Sequence, residues 1–280
     1  MRVALPPQLV EHAREFAEGR RTPAEPRDAA TVVLMRAGDR GPELYLLRRQ
    51  TSMAFAGGMC VFPGGGVDPR DFDTSVAWSG PAPEIWASHV QTSAEMARAL
   101  VCAAVRETFE ESGVLLAGPS AAEVVADTTG DDWEADRRAL EAKELAFTSF
   151  LRRRGLVLRS DLLGGWAAWC TPEFEPRRFR TWFFVAALPP GQRTRDVSRE
   201  SASVTWMPAL GACDAADAQE IGMMPPTYVT CLEVGQYADP EAVLAAAPRR
   251  DLTMFTPAVE PDATVSVPAR VHGLLEARDG

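Results

Sequence analysis

Arg106-Glu107-Thr108-Phe109-Glu110-Glu111-Ser112-Gly113-Val114 closes a long helical pattern in this 280-residue chain. Ahead of it, Thr92-Ser93-Ala94-Glu95 has capping-box spacing, apolar Ala97, Leu100, Val101, Ala104 and Val105 recur at helical intervals, and Gly113 supplies the stop. On such a helix Glu107, Glu110 and Glu111 are related by i,i+3 and i,i+4, so the three carboxylates share one face. Like charges on one patch repel, and Glu110 and Glu111 fall in the last turn, where the helix dipole disfavours negative charge. Something cationic should compensate. A divalent ion with hard oxygen ligands is the simplest candidate, and Arg106 can reach Glu110 one turn on and fix its rotamer. A lone Glu-x-x-Glu-Glu is usually a solvated acidic face, so the surroundings must decide.

Upstream, residues 1–28 read as a polar helix and a Pro-rich arm. Two strand-like runs follow, Ala29 to Met35 and Glu43 to Arg49, and then Met59-Cys60-Val61-Phe62-Pro63-Gly64-Gly65-Gly66, a brief strand entering a turn. Its three glycines predict backbone geometry that other residues resist. Residues 69–91 look like a surface insertion, with Trp78, Ile85 and Trp86 too apolar for a free linker. Downstream, 121–156 reads as mostly helical, 166–171, 179–188 and 204–207 as strands, and the Pro-punctuated remainder as helical.

In that setting the acidic stretch resembles the Nudix box, Gly-x5-Glu-x7-Arg-Glu-U-x-Glu-Glu-x-Gly-U with U aliphatic. Gly64-Gly65 after Phe62-Pro63 matches its start, and Arg106 to Val114 matches its second half at every fixed position except Thr108. From Gly65 to Val114 there are 50 residues where the uninterrupted box has 23, which implies about 27 inserted. Counting eight back from Arg106 puts Arg98 where the box has its first glutamate. The split box, the run from Met53 to Gly65, Thr171-Pro172-Glu173 and Arg178-Phe179-Arg180-Thr181-Trp182 are similar to the branch that includes peroxisomal coenzyme A diphosphatase.

The resemblance implies an α/β/α sandwich with a mixed β-sheet, a helical insertion and a C-terminal helical extension. Expected boundaries are an arm at 1–28, the catalytic domain at 29–210 with its insertion at about 69–91, and the extension and tail at 211–280. It further implies Mg²⁺ or Mn²⁺ held by the Gly64 carbonyl, Glu107, Glu110 and Glu111, with Arg106 orienting them. For a remote carboxylate the reading favours Glu200, six residues ahead of Trp206; Glu107 and Glu200 both stay open as the general base. Arg49, Arg178 and Arg180 are candidate phosphate clamps. The implied reaction is hydrolysis of the diphosphate in a nucleoside-diphosphate derivative, coenzyme A or acyl-CoA first. Ala54 stands where the coenzyme A signature has arginine, which keeps NADH, ADP-ribose and nucleotide sugars as alternatives. A silent nucleotide-binding domain is the other class, though its intact carboxylates argue against it.

Composition narrows the setting. A net charge of −10 speaks against a nucleic-acid surface, and Lys143 is the single lysine, which excludes a P-loop. Five cysteines, widely spread and never Cys-x-x-Cys, point to reduced thiols in a cytoplasmic protein rather than disulfides or zinc. No run approaches membrane-span length. The insertion is left with two expected roles, a wall of the substrate pocket or a homodimer interface.

Overall fold

The computed structural model describes residues 7–20, 22–51, 56–198, 201–260 and 264–279. In chain order its strands are β1 (Arg27–Gly38), β2 (Gly41–Arg49), β3 (Met59–Val61), β4 (Gly64–Gly66), β5 (Trp78–Ser79), β6 (Ala117–Gly118), β7 (Val157–Arg159), β8 (Gly164–Cys170), β9 (Phe179–Ala187), β10 (Ser201–Pro208) and β11 (Gly222–Met223). Its helices are α1 (Pro7–Ala17), α2 (Pro83–Val90), α3 (Ala94–Ser112), α4 (Asp131–Glu141), α5 (Phe147–Arg153), α6 (Ala209–Asp217), α7 (Pro225–Val234), α8 (Pro240–Ala246) and α9 (His272–Asp279).

β1 and β2 pair through residues 35–38 and 41–44 and then part. β9 runs parallel to β1 along its far edge, and β10 runs antiparallel along the far edge of β2. Into the gap come β3, paired with β2, and β4, paired with β1. The mixed eight-stranded sheet therefore carries the glycine segment between the diverging ends of β1 and β2.

Side chains alternate across this sheet. Val32, Leu34, Tyr45, Leu47 and Phe184 meet Trp86, Leu100, Val101 and Val105 on one face. Val33, Met35, Leu44, Leu46 and Val185 meet Ala212, Val229, Leu232 and Val243 on the other. The fold is an α/β/α sandwich, with α2 and α3 covering one face and α6, α7 and α8 the other. Among the described residues no helix is long and apolar enough to cross a membrane.

α3 begins where Ser93 Oγ accepts the Met96 N–H at 3.1 Å, and it ends at Gly113, whose φ of 74° returns its N–H to the Phe109 carbonyl at 2.9 Å. The insertion forms a 3-10 turn at Pro69–Phe72, then β5, then α2. β5 joins β7 and β6 in a small second sheet that the sequence did not announce. Trp86 packs edge-on against Phe184, with ring centroids 5.7 Å apart, and Trp182 Nε1 donates to the Val90 carbonyl at 3.0 Å. Ile85 departs from expectation at 62% exposed. α2 buries only the stripe Pro83, Trp86 and Val90, which leaves Ile85 on its outer side.

Candidate active site

Gly64 and Gly65 are glycine for want of space. A Cβ at Gly64 would stand 2.5 Å from Thr31 Oγ1, and one at Gly65 would stand 2.5 Å from Glu107 Oε1. Neither has a positive φ, so the close approach of β1 and the helix imposes glycine here, rather than the unusual backbone geometry expected. The Gly64 N–H donates to Glu111 Oε2 at 2.8 Å. The glycine segment and the acidic helix face thus meet at two points.

Arg106 organises that face. Its Nη1 donates to Glu107 Oε1 at 2.6 Å and Glu110 Oε1 at 3.2 Å, and its Nη2 donates to the Gly66 carbonyl at 3.0 Å. The contact with Glu110 is the one the spacing implied. A pairing the sequence reading missed is the fork onto Asp71, at 3.0 and 2.9 Å, deep enough that Asp71 is only 1% exposed. Asp71 is fixed in turn by a reciprocal cap with Asp68 at the 3-10 turn.

This corrects the alignment of the box. Counted forward from Gly65, the Gly-x5-Glu spacing lands on Asp71, so the inserted residues follow the box's first acid instead of preceding it. Arg98 lies eight residues up α3, about 12 Å along the axis, with its guanidinium 5.2 Å from the Trp78 ring centroid. The forward count was the available signal; the aspartate in place of glutamate and the backward count obscured it.

Carboxylates crowd this face, and the Arg106 guanidinium meets three of them, Asp71, Glu107 and Glu110. Burial and the neighbouring Glu107 charge raise the Glu110 pKa to about 7, with Arg106 pulling the other way. Burial also raises Asp71, again opposed by Arg106. Burial works against the Arg106 charge, but Glu107, Asp71 and Glu110 outweigh it and hold the guanidinium protonated. A hard divalent cation fits this cluster of carboxylate oxygens. Among the described residues no three acid, histidine or cysteine side chains already converge as a metal centre; Glu107 and Glu110 turn to Arg106, and Glu111 accepts from the Gly64 N–H.

Part of the compensation at the helix end comes from the protein itself. Arg137 of α4, 2% exposed, donates from Nη1 to the Glu110 carbonyl at 2.7 Å, satisfying an acceptor that the last turn leaves open. Glu134 holds Arg137 through Nε and Nη2 at 2.9 and 2.8 Å, and those bonds pull its own pKa down to about 2. Glu134 also binds Arg195 Nη1 at 2.9 Å. Tyr45, whose hydroxyl donates to the Arg195 carbonyl at 2.9 Å, is held above its ordinary pKa by burial and by Asp196 and Glu111.

The remaining sequence-predicted residues are dispersed. Glu200 lies outside the described residues. Arg49 pairs with Ser201 at the start of β10 and, by alternation with Tyr45 and Leu47, belongs to the face that α3 covers. Arg180 binds Asp28 at 2.7 Å with 41% of its side chain exposed. Arg178 donates to the Thr171 and Ala24 carbonyls at 3.1 and 3.0 Å, tying the N-terminal arm to the sheet. His89 of the insertion packs on Gly165, where a Cβ would stand 2.8 Å from its ring. All five cysteines are buried and unbridged.

A sandwich with a glycine segment facing an Arg-Glu-x-x-Glu-Glu helix is the Nudix arrangement. A family model, the NUDT19 Nudix domain, matches residues 88–233, just over half of the chain. The chain belongs to that family. Its match starts beyond the glycine segment, so the part played by Gly64 to Gly66 rests on the contacts above. The chain is similar to the acyl-coenzyme A diphosphatase NUDT19 of Gallus gallus, at 27% identity over 72% of this chain and 66% of that one. It is also similar to the Xenopus laevis protein of the same name, at 24% identity over 66% and 58%. The chain thus spans less than two thirds of the length of these curated relatives. A solved structure, a NUDIX hydrolase from Alicyclobacillus acidocaldarius, matches with a TM-score of 0.68 and 25% identity, over 79% of this chain and 96% of that one.

Proposed function

We propose that this protein is a divalent-metal-dependent diphosphatase whose first substrate is coenzyme A or an acyl-CoA. The observation that carries the chemistry is the contact of Gly64 and Gly65 with Glu111 and Glu107. The carboxylates of Glu107, Glu110 and Glu111, with the Gly64 carbonyl, would hold Mg²⁺ or Mn²⁺. When bound, such an ion polarises phosphoryl oxygens and lowers the pKa of water. Glu107 or Glu200 takes the proton as water adds to one phosphorus and the bridging oxygen leaves with the other phosphate. Arg106 keeps Glu107 and Glu110 on one side of the helix, and Asp71 keeps Arg106 there. Arg49, on the face of the sheet that α3 covers, is the arginine we assign first to the substrate phosphates.

Support for the acyl-CoA substrate is the name and activity of the curated relatives. The test is a panel of CoA, acyl-CoA, NADH, ADP-ribose and a nucleotide sugar, each with Mg²⁺ or Mn²⁺, with products resolved by phosphorus NMR. CoA-type turnover giving adenosine 3′,5′-bisphosphate and a phosphopantetheine product is the expected result. Preference for another diphosphate refutes the substrate assignment, and binding without turnover of any refutes the enzyme.

A further inference from the structure

We propose that Arg195, backed by Glu134 and Arg137, is a positioning residue for the cation site: it sets the last turn of α3 against α4 and β2. The proposal rests on the divalent-cation reading above. Arg195 touches three elements at once. Its N–H donates to the Ser112 carbonyl at 2.9 Å, its Nη1 to Glu134 Oε2 of α4 at 2.9 Å, and its carbonyl accepts the Tyr45 hydroxyl of β2 at 2.9 Å. Nη2 adds a bond to the Thr128 carbonyl at 3.1 Å. The guanidinium lies against Gly113, where a Cβ would stand 2.7 Å from Nε and Nη2.

Glu134 completes the connection. The same carboxylate that binds Arg195 binds Arg137, and Arg137 donates to the Glu110 carbonyl at 2.7 Å. Through Arg137 the network grips the Glu110 carbonyl, the main-chain N–H of Arg195 holds the Ser112 carbonyl, and between them stands Glu111, whose carboxylate meets Gly64. Because it acts on backbone, it fixes where the last turn lies and leaves the carboxylate rotamers to Arg106. Lysine is a poor replacement for Arg195, since its ammonium has neither the planar fork that reaches Glu134 and Thr128 from two separate nitrogens nor a flat face to lie on Gly113.

The experiment is Mn²⁺ titration of the full chain, followed by the electron paramagnetic resonance of free Mn²⁺, for wild type, Arg195→Lys, Glu134→Gln, the double variant and Arg138→Lys. Arg138 binds Glu134 from the solvent side, 64% exposed, and serves as the control. Arg195→Lys and Glu134→Gln should each weaken Mn²⁺ binding roughly 10- to 100-fold, the range for residues that orient metal ligands. The double variant should be no weaker than the worse single one, because both break one network, and Arg138→Lys should bind as wild type does. Wild-type affinity in folded Arg195→Lys overturns the positioning role, as do losses that multiply in the double variant. Should Arg195→Lys not fold, Glu134→Gln decides alone by the same criterion. A wild-type protein that binds no Mn²⁺ overturns the cation reading and this proposal with it, whereas binding by wild type that is indifferent to both variants overturns the proposal only.

Discussion

Replacing Glu110 with glutamine separates the charge burden of the site from its fold. In the metal-free protein the Glu110 carboxyl titrates near 7 instead of its ordinary 4.5, and burial is the first cause. A raised carboxyl pKa means that the folded state holds the proton more tightly than the unfolded chain. Its stabilisation is therefore present below about 4.5 and is lost as pH rises to about 7. At about 1.4 kcal/mol per pKa unit the difference is on the order of 3 kcal/mol. Glutamine keeps an acceptor for Arg106 and removes the charge, so it behaves as the protonated acid at every pH. The assay is thermal unfolding in EDTA at pH 5 and pH 8. At pH 5 the two proteins should melt nearly together; at pH 8 the variant should melt several degrees higher, at about 2–4 °C per kcal/mol for a large domain. Added Mn²⁺ should raise the wild-type Tm more than the variant's. An equal difference at both pH values, or a wild type more stable at pH 8, refutes the claim that Glu110 is a buried charge awaiting a cation.

Asp71→Asn leaves Arg106 without its buried carboxylate and should cost roughly 3–5 kcal/mol in urea unfolding, with activity lost as well; Asp71→Glu, the box's own residue, should recover part of both. Gly65→Ala puts a methyl 2.5 Å from Glu107 Oε1, so it should cut kcat severely while shifting Tm by far less than Asp71→Asn does. Trp86→Ala should cost about 3–5 kcal/mol by opening a cavity against Phe184, yet leave Mn²⁺ affinity unchanged, which isothermal titration measures.

The parts of this site that were legible in the sequence are the local ones. α3 was readable because its cap, its apolar stripe and its glycine stop agree, and the shared face of Glu107, Glu110 and Glu111 follows from helical spacing alone. Strands β1, β2, β8 and β9 carry enough β-branched and aromatic residues to be read, whereas β5, β6 and β11 have two residues each, too few to show alternation. Asp71 was hidden by the break in the box. Arg137 and Arg195 were hidden by distance, since their bonds to the helix end span 27 residues to Glu110 and more than 80 to Ser112. Nothing in the residues beside them announces that contact, and one of them answers directly the need for positive charge that the helix itself declares.

The geometry also explains why the box tolerates being split. The chain leaves it at Asp71, which Arg106 and Asp68 pin from two directions, and returns at Ser93, which caps the far end of α3. Arg106 is 13 residues beyond that cap, so the carboxylates stand about 20 Å from the point of re-entry. Closing a longer loop costs little, about 0.6 kcal/mol for each doubling, and the burial of Trp86 and Val90 offsets it. Variation between Asp73 and Val90 should therefore register in stability and in the layer over β8 and β9. Variation at Asp68 or Asp71 acts on the cation site, because only the first turn of the insertion touches the residue that aims the glutamates.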